Sequence, residues 1–247
     1  MKLLGLLLTL LVVSLSANVM LWRAAYDFYV RLNALRLDPF ETEQYARSPH
    51  HTDDGRPLVV FFGDSRAYQW TCPPMPQYAY LNRGIGGQSS AQVLGRFDAE
   101  IGGWRPAVIV VQAGVNDLKM IPLRPAQKTQ LLANCQRNLR ELVARAEATG
   151  ARVIVTTIFP VGDLPVTRKP FGRLFRSDEV AAAIADVNQA LLTCASDRVR
   201  ILDAHAILAD TRGKVQPRYQ IDWLHINQAG YAALNQALQA MLYDFES

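Results

Sequence analysis

The chain has 247 residues, half of them hydrophobic and 19% charged, with a formal net charge of +4. That is an ordinary globular composition, long enough for one well-buried domain. Its basic residues are scattered rather than gathered into a block interleaved with aromatics, which argues against a nucleic-acid partner. Cys72, Cys135 and Cys194 are too few and too dispersed for a disulfide framework, and no Cys/His cluster has metal-ligand spacing, so no metal or other cofactor is expected.

From Leu3 to Trp22 the chain carries no charge and is dominated by Leu and Val, between Lys2 and Arg23. A bilayer-spanning helix needs about 20 such residues, whereas a buried helix of a soluble domain normally shows a polar face. Residues 1–22 are therefore expected to be a retained membrane anchor, with the rest of the chain outside the cytoplasm, in the periplasm of the cell envelope. A cleaved signal peptide followed by secretion is the alternative, because the small residues Ser14, Ser16 and Ala17 stand where a cleavage site would fall. Residues 23–56 are expected to link the anchor to the core. Arg23 to Leu37 reads as a helix continuing out of the membrane, and Asp38-Pro39 and the polar stretch Ser48 to Gly55 read as loop.

Residues 57–247 alternate short apolar runs with longer helical stripes. Leu58 to Phe62, ending at Gly63, is a β-branched and aromatic run of the kind buried on both faces. Tyr78 to Leu81 is a weaker second strand. Ala107 to Ala113, Val153 to Ile158 and Val199 to Leu202 are the third, fourth and fifth. Between them, Val93, Leu94, Phe97 and Ile101 form one helical stripe opening near Ser89 or Ser90. Leu131, Cys135, Leu139, Leu142 and Ala146 belong to a second, and Val180, Ile184, Val187 and Leu191 to a third behind Ser177 as cap. A last helix carries Tyr231, Leu234, Leu238, Met241 and Phe245 behind Asn227. Strand–helix alternation with doubly buried strands predicts a three-layer α/β/α sandwich around a parallel five-stranded sheet.

In such a sheet, functional loops lie beyond the carboxyl ends of the strands. Four unusual clusters fall there: Gly63-Asp64-Ser65, Gly84-Ile85-Gly86-Gly87-Gln88, Gly114-Val115-Asn116-Asp117 and Asp222-Trp223-Leu224-His225. Each alone has a structural explanation as a turn or a helix cap. Together they supply what acyl transfer to serine needs. A hydroxyl is a weak nucleophile until a base takes its proton, and that base needs an orienting carboxylate. The developing oxyanion needs donors aimed at it.

These blocks resemble those of the SGNH, or GDSL, hydrolase superfamily, and the match spans the core from about Leu58 to the C-terminal helix. The resemblance implies a flavodoxin-like sheet and metal-free ester hydrolysis. It makes Ser65 the nucleophile, His225 the base and Asp222 its partner. The oxyanion hole would come from the backbone N–H groups of Ser65 and Gly87 and the Asn116 side chain. The expected substrate is a small-molecule, lipid or glycan ester. The alternatives are an O-acetylesterase or acyltransferase acting on envelope polysaccharide through the same residues, or a non-catalytic binding module that keeps only the fold. Arg66 departs from the Leu common in lipase-like members. His205, in Asp203-Ala204-His205, is a rival base by composition but lacks the position before the last helix. The connection after the fourth strand, from Phe159 to Arg176, holds Arg168, Lys169, Arg173 and Arg176 among Phe171, Leu174 and Phe175, a mixed basic and aromatic surface suited to anionic esters or lipid headgroups.

Overall fold

The chain divides into two units, Met1–Gln44 and Tyr45–Ser247. The structure is a computed structural model, and it describes residues 2–46, 54–163 and 176–245.

The first unit is dominated by α1, Lys2–Leu37, a single 36-residue helix with no buried residue. At 1.5 Å per residue it is about 54 Å long, more than the roughly 30 Å of a bilayer's hydrocarbon. Its apolar part has a mean hydropathy of 2.2 and is long enough to cross a membrane. Polar side chains inside the apolar run bond to their own helix: Thr9 Oγ1 donates to the Gly5 carbonyl at 3.0 Å and Asn18 Nδ2 to that of Ser14 at 2.8 Å. Trp22 stacks on Tyr26 one turn later, with centroids 5.7 Å apart.

The division falls within a short helix, α2 (Glu43–Ala46), and the second unit is built on a parallel sheet. In chain order come β1 (Leu58–Gly63), α3 (Ser65–Tyr68), β2 (Ala79–Gly84), α4 (Ser90–Gly95), α5 (Phe97–Ile101), β3 (Val108–Gln112) and α6 (Val115–Leu118). They are followed by α7 (Lys128–Ala148), β4 (Arg152–Thr156), α8 (Ser177–Leu192), β5 (Val199–Leu202), α9 (Ala204–Leu208) and α10 (Gln228–Tyr243). The strand order is β2-β1-β3-β4-β5, the flavodoxin-like arrangement that the resemblance implied.

Side chains alternate across the strands, as a period of two requires. Val60, Phe62, Ile109, Val111, Val153 and Val155 face one core, closed by Val93, Phe97, Leu139, Leu142, Val180, Ile184 and Val187. Val59, Phe61, Val108, Val110 and Ile154 face the other, closed by Trp70, Leu208, Tyr231, Leu234 and Leu238. Helices therefore cover both faces, and the three-layer architecture follows.

Three details differ from expectation. The second strand extends through Asn82-Arg83-Gly84, residues that look like loop but pair in register with Phe61, Phe62 and Gly63 of β1. The 93–101 stripe is two short helices meeting at Arg96. That residue caps both and sends its guanidinium inward, to Gln88 Oε1 at 2.6 Å and the Gly63 carbonyl at 2.8 Å. Ser177 is the first residue of α8 rather than its cap, and its hydroxyl instead accepts from Lys214 at 3.1 Å. Ser89 and Asn227 do cap α4 and α10 through their side chains. All three cysteines are free. The basic and aromatic residues Arg168, Lys169, Phe171, Arg173, Leu174 and Phe175, and most of the stretch from Ser48 to Gly55, lie outside the described residues.

Candidate active site

β1 ends at Gly63, whose Cα runs so close to β3 that an added Cβ would sit 1.7 Å from the Gln112 carbonyl oxygen. Only glycine fits there, so the chain can turn sharply off the sheet into α3. Asp64 caps that helix, its carboxylate accepting from the Arg66 backbone N–H at 2.9 Å. Ser65, the first residue of α3, is thereby held at the carboxyl edge of the sheet.

Asp222-Trp223-Leu224-His225 returns to the same place from before α10. Asp222 Oδ1 accepts from the backbone N–H groups of Leu224 and His225, at 2.7 and 2.8 Å. The segment folds back so that Asp222 Oδ2 lies 2.9 Å from His225 Nδ1, while His225 Nε2 lies 3.1 Å from Ser65 Oγ. Burial alone would raise the Asp222 carboxyl, but its bonds from the His225 ring and the two backbone amides outweigh it and hold the group below the ordinary carboxylate range. Asp222 is therefore an acceptor at neutral pH. It accepts a hydrogen bond from Nδ1–H, so that in the neutral imidazole Nε2 presents its lone pair to the Ser65 hydroxyl.

The loop after β2 flanks the serine. A Cβ added to Gly86 would lie 4.0 Å from that of Ser65, and Gly87 beside it has φ +81, a left-handed backbone that favours glycine. The next residue, Gln88, takes 2.9 Å hydrogen bonding from Asn116 Nδ2 on its carbonyl. Asn116 is buried on α6, directly after β3. Its neighbour Asp117 ties the same region to the start of α4, accepting from Ser90 N and Oγ at 2.7 Å each. Ser65, Gly87, Asn116, Asp222 and His225 thus stand at one edge of the sheet. Ser65, His225 and Asp222 are joined by direct bonds, and Asn116 is bonded to the loop that carries Gly87.

His205 is not part of this arrangement. Its backbone N–H donates to Thr157 Oγ1 at 2.8 Å, and the residue lines a separate recess with Thr157, Asn188 and Asp203.

Two charged residues beside the site have contacts that the motifs do not show. Arg66, next to the serine, is fully buried and fans out to three main-chain carbonyls: Leu224 at 2.7 and 2.9 Å, Phe159 at 2.9 Å and Pro160 at 3.4 Å. Burial pushes its pKa down to about 10, yet it remains a cation at neutral pH. It pins the loop bearing His225 to the helix bearing Ser65. The departure from the common Leu thus carries a tertiary clamp. Lys119, the other, donates to Asn116 Oδ1. An unexpected arginine next to the candidate serine is a signal in itself, but its partners are carbonyls 93 to 158 residues away, which no motif shows. Among the described residues no group of His, Cys, Asp or Glu could hold a metal ion.

A model of the GDSL-like lipase/acylhydrolase family matches residues 61–233. The platelet-activating factor acetylhydrolase IB subunit alpha1 of Rattus norvegicus is 28% identical over 207 residues, covering 79% of this chain and 81% of that protein. Among solved structures, one from Streptococcus pneumoniae described as a platelet activating factor superposes with a TM-score of 0.67 at 24% identity, over 89% of this chain and 99% of that one. A GDSL-like lipase from Bacteroides thetaiotaomicron superposes with a TM-score of 0.63 at 19% identity, over 83% and 98%.

Proposed function

The chain belongs to the GDSL-like lipase/acylhydrolase family and is an ester hydrolase, and on that premise we propose that it cleaves short-chain acyl esters through Ser65, His225 and Asp222. The observation that carries this is the continuous relay Asp222 Oδ2 to His225 Nδ1 at 2.9 Å and His225 Nε2 to Ser65 Oγ at 3.1 Å.

In the proposed reaction, His225 Nε2 takes the Ser65 proton as Oγ attacks the ester carbonyl. Asp222 holds the ring and stabilises the imidazolium that forms. The oxyanion is received by the Ser65 and Gly87 backbone N–H groups and the free Nδ2 hydrogen of Asn116. His225 returns its proton to the leaving alcohol. It then activates a water, which hydrolyses the acyl-serine and frees the acid.

A short acyl group is favoured because the curated relatives carry acetylhydrolase in their names. The same acyl-enzyme could pass its acyl group to a hydroxyl instead of water, so an envelope glycan is retained as the alternative acceptor or substrate. The 36-residue exposed helix supports anchorage in a membrane, with the second unit held outside the cytoplasm. The test is a p-nitrophenyl ester series from acetyl to palmitoyl on the full chain in detergent, with O-acetylated glycan assayed beside it. Highest kcat/KM at acetyl or butyryl supports the proposal. A maximum at long chains would refute the short-acyl assignment, and acetate release confined to glycan would favour the alternative.

A further inference from the structure

We infer that Lys119 is a positioning residue for the oxyanion-binding amide of Asn116, an inference that rests on the role proposed for Asn116 above. Lys119 follows α6 and is half-buried, and its ammonium bonds to Asn116 Oδ1. The opposite end of the same amide donates from Nδ2 to the Gln88 carbonyl at 2.9 Å. A side-chain amide has two orientations that exchange its donor and acceptor ends. An ammonium can only donate and a carbonyl oxygen can only accept, so both partners select the same orientation. In it, one Nδ2 hydrogen is bonded to Gln88 and the second is left for an oxyanion. In the flipped form Oδ1 would face the Gln88 carbonyl and Nδ2 would face the ammonium, two repulsive contacts in a site where Asn116 is only 7% exposed.

The cation does more than choose the orientation. A hydrogen bond from an ammonium to Oδ1 draws electron density toward the oxygen and strengthens the N–H groups at the other end of the amide. Among the described residues Lys119 makes no ion pair. The nearby Asp117 carboxylate is engaged by Ser90 instead. Burial lowers the Lys119 pKa, as does the charge of Arg66, while the carboxylates of Asp64 and Asp117 act the other way. Its positive charge is therefore directed through Asn116 to the place where negative charge develops in the transition state.

The experiment measures kcat and KM with a neutral ester, p-nitrophenyl acetate, on the full chain carrying Lys119→Met, Lys119→Arg, Asn116→Ala and the Asn116→Ala/Lys119→Met pair. Lys119→Met is expected to lower kcat about tenfold with KM within twofold. Lys119→Arg, which keeps a cationic donor, should restore most of it. In the Asn116→Ala background Lys119→Met should have no further effect, because its action runs through the missing amide. A normal kcat in Lys119→Met beside a large loss in Asn116→Ala would overturn this inference alone. So would an equal loss from Lys119→Met in both backgrounds, or a change confined to KM. An unchanged kcat in Asn116→Ala would overturn the oxyanion role itself.

Discussion

Asp203 and His205 follow β5, and Asp222 and His225 precede α10, so the same two residue types stand twice at the carboxyl edge of the sheet. They are wired differently. Asp203 Oδ1 accepts from Thr157 Oγ1 at 3.0 Å and from the Ala206 N–H at 3.1 Å, which makes it the N-cap of α9. The Thr157 hydroxyl in turn accepts from the His205 backbone, not its ring. In the second pair one carboxylate oxygen takes two backbone N–H groups and thereby bends the chain until the other oxygen meets Nδ1 of the ring. A spacing of three residues leaves room for that turn. A spacing of two, running straight into a helix, turns the carboxylate to capping. Composition gives an Asp and a His in both places, and local backbone bonding decides which can relay a proton.

Paired substitutions separate the two Asp/His pairs. His225→Ala should lower kcat by about 10⁵-fold or more, since Ser65 loses its base, and Asp222→Ala by roughly 10⁴-fold, since that base loses its orienting partner. His205→Ala should leave kcat within about twofold. Asp203→Ala should change stability rather than rate, by about 1 kcal/mol for a lost cap, read as a Tm lower by about 2–4 °C. Comparable rate losses at the two histidines would erase the distinction.

A smaller effect is expected at Asp64, beside Ser65. Asp64 is fully buried, and one of its carboxylate oxygens has no hydrogen-bond partner among the described residues. Burial raises its pKa from 3.8 to about 6, against the opposing charge of Arg66. The folded protein therefore binds this proton more readily than the unfolded chain. The stability it contributes is present below about pH 4 and is lost as pH rises through about 6. Asp64→Asn, which cannot ionise, should gain stability relative to the parent by on the order of 2–3 kcal/mol between pH 4 and 7. Urea unfolding of both proteins across that range checks the sign, and a difference independent of pH would refute the burial argument.

Much of this was visible in the residues alone. The third and fifth strands fall within one residue of the apolar runs that announce them. Ser65, Asp222 and His225 were identified from short blocks in the right order, and the structure brings those three side chains into hydrogen-bonding distance. What escaped are contacts over long sequence separations. Arg83 reads as loop because its charge hides its place in β2, where it lies between the Tyr45 and Trp104 rings beside Glu100. Arg96 interrupts a helical stripe because its guanidinium is needed under Gly63. Arg66 and Lys119 work by bonds to a carbonyl or an amide, groups that carry no sequence signature. Apolar periodicity records burial against the sheet, but it does not record where a buried cation finds its partners.

Reaction of the full chain with a fluorophosphonate probe, with the adduct mapped by mass spectrometry, shows whether Ser65 is the activated nucleophile. A single adduct is predicted on the peptide containing Ser65, absent in Ser65→Ala and slowed at least a hundredfold in His225→Ala but not in His205→Ala. Undiminished labelling of Ser65→Ala, or an adduct on any other serine in the parent protein, would contradict the account.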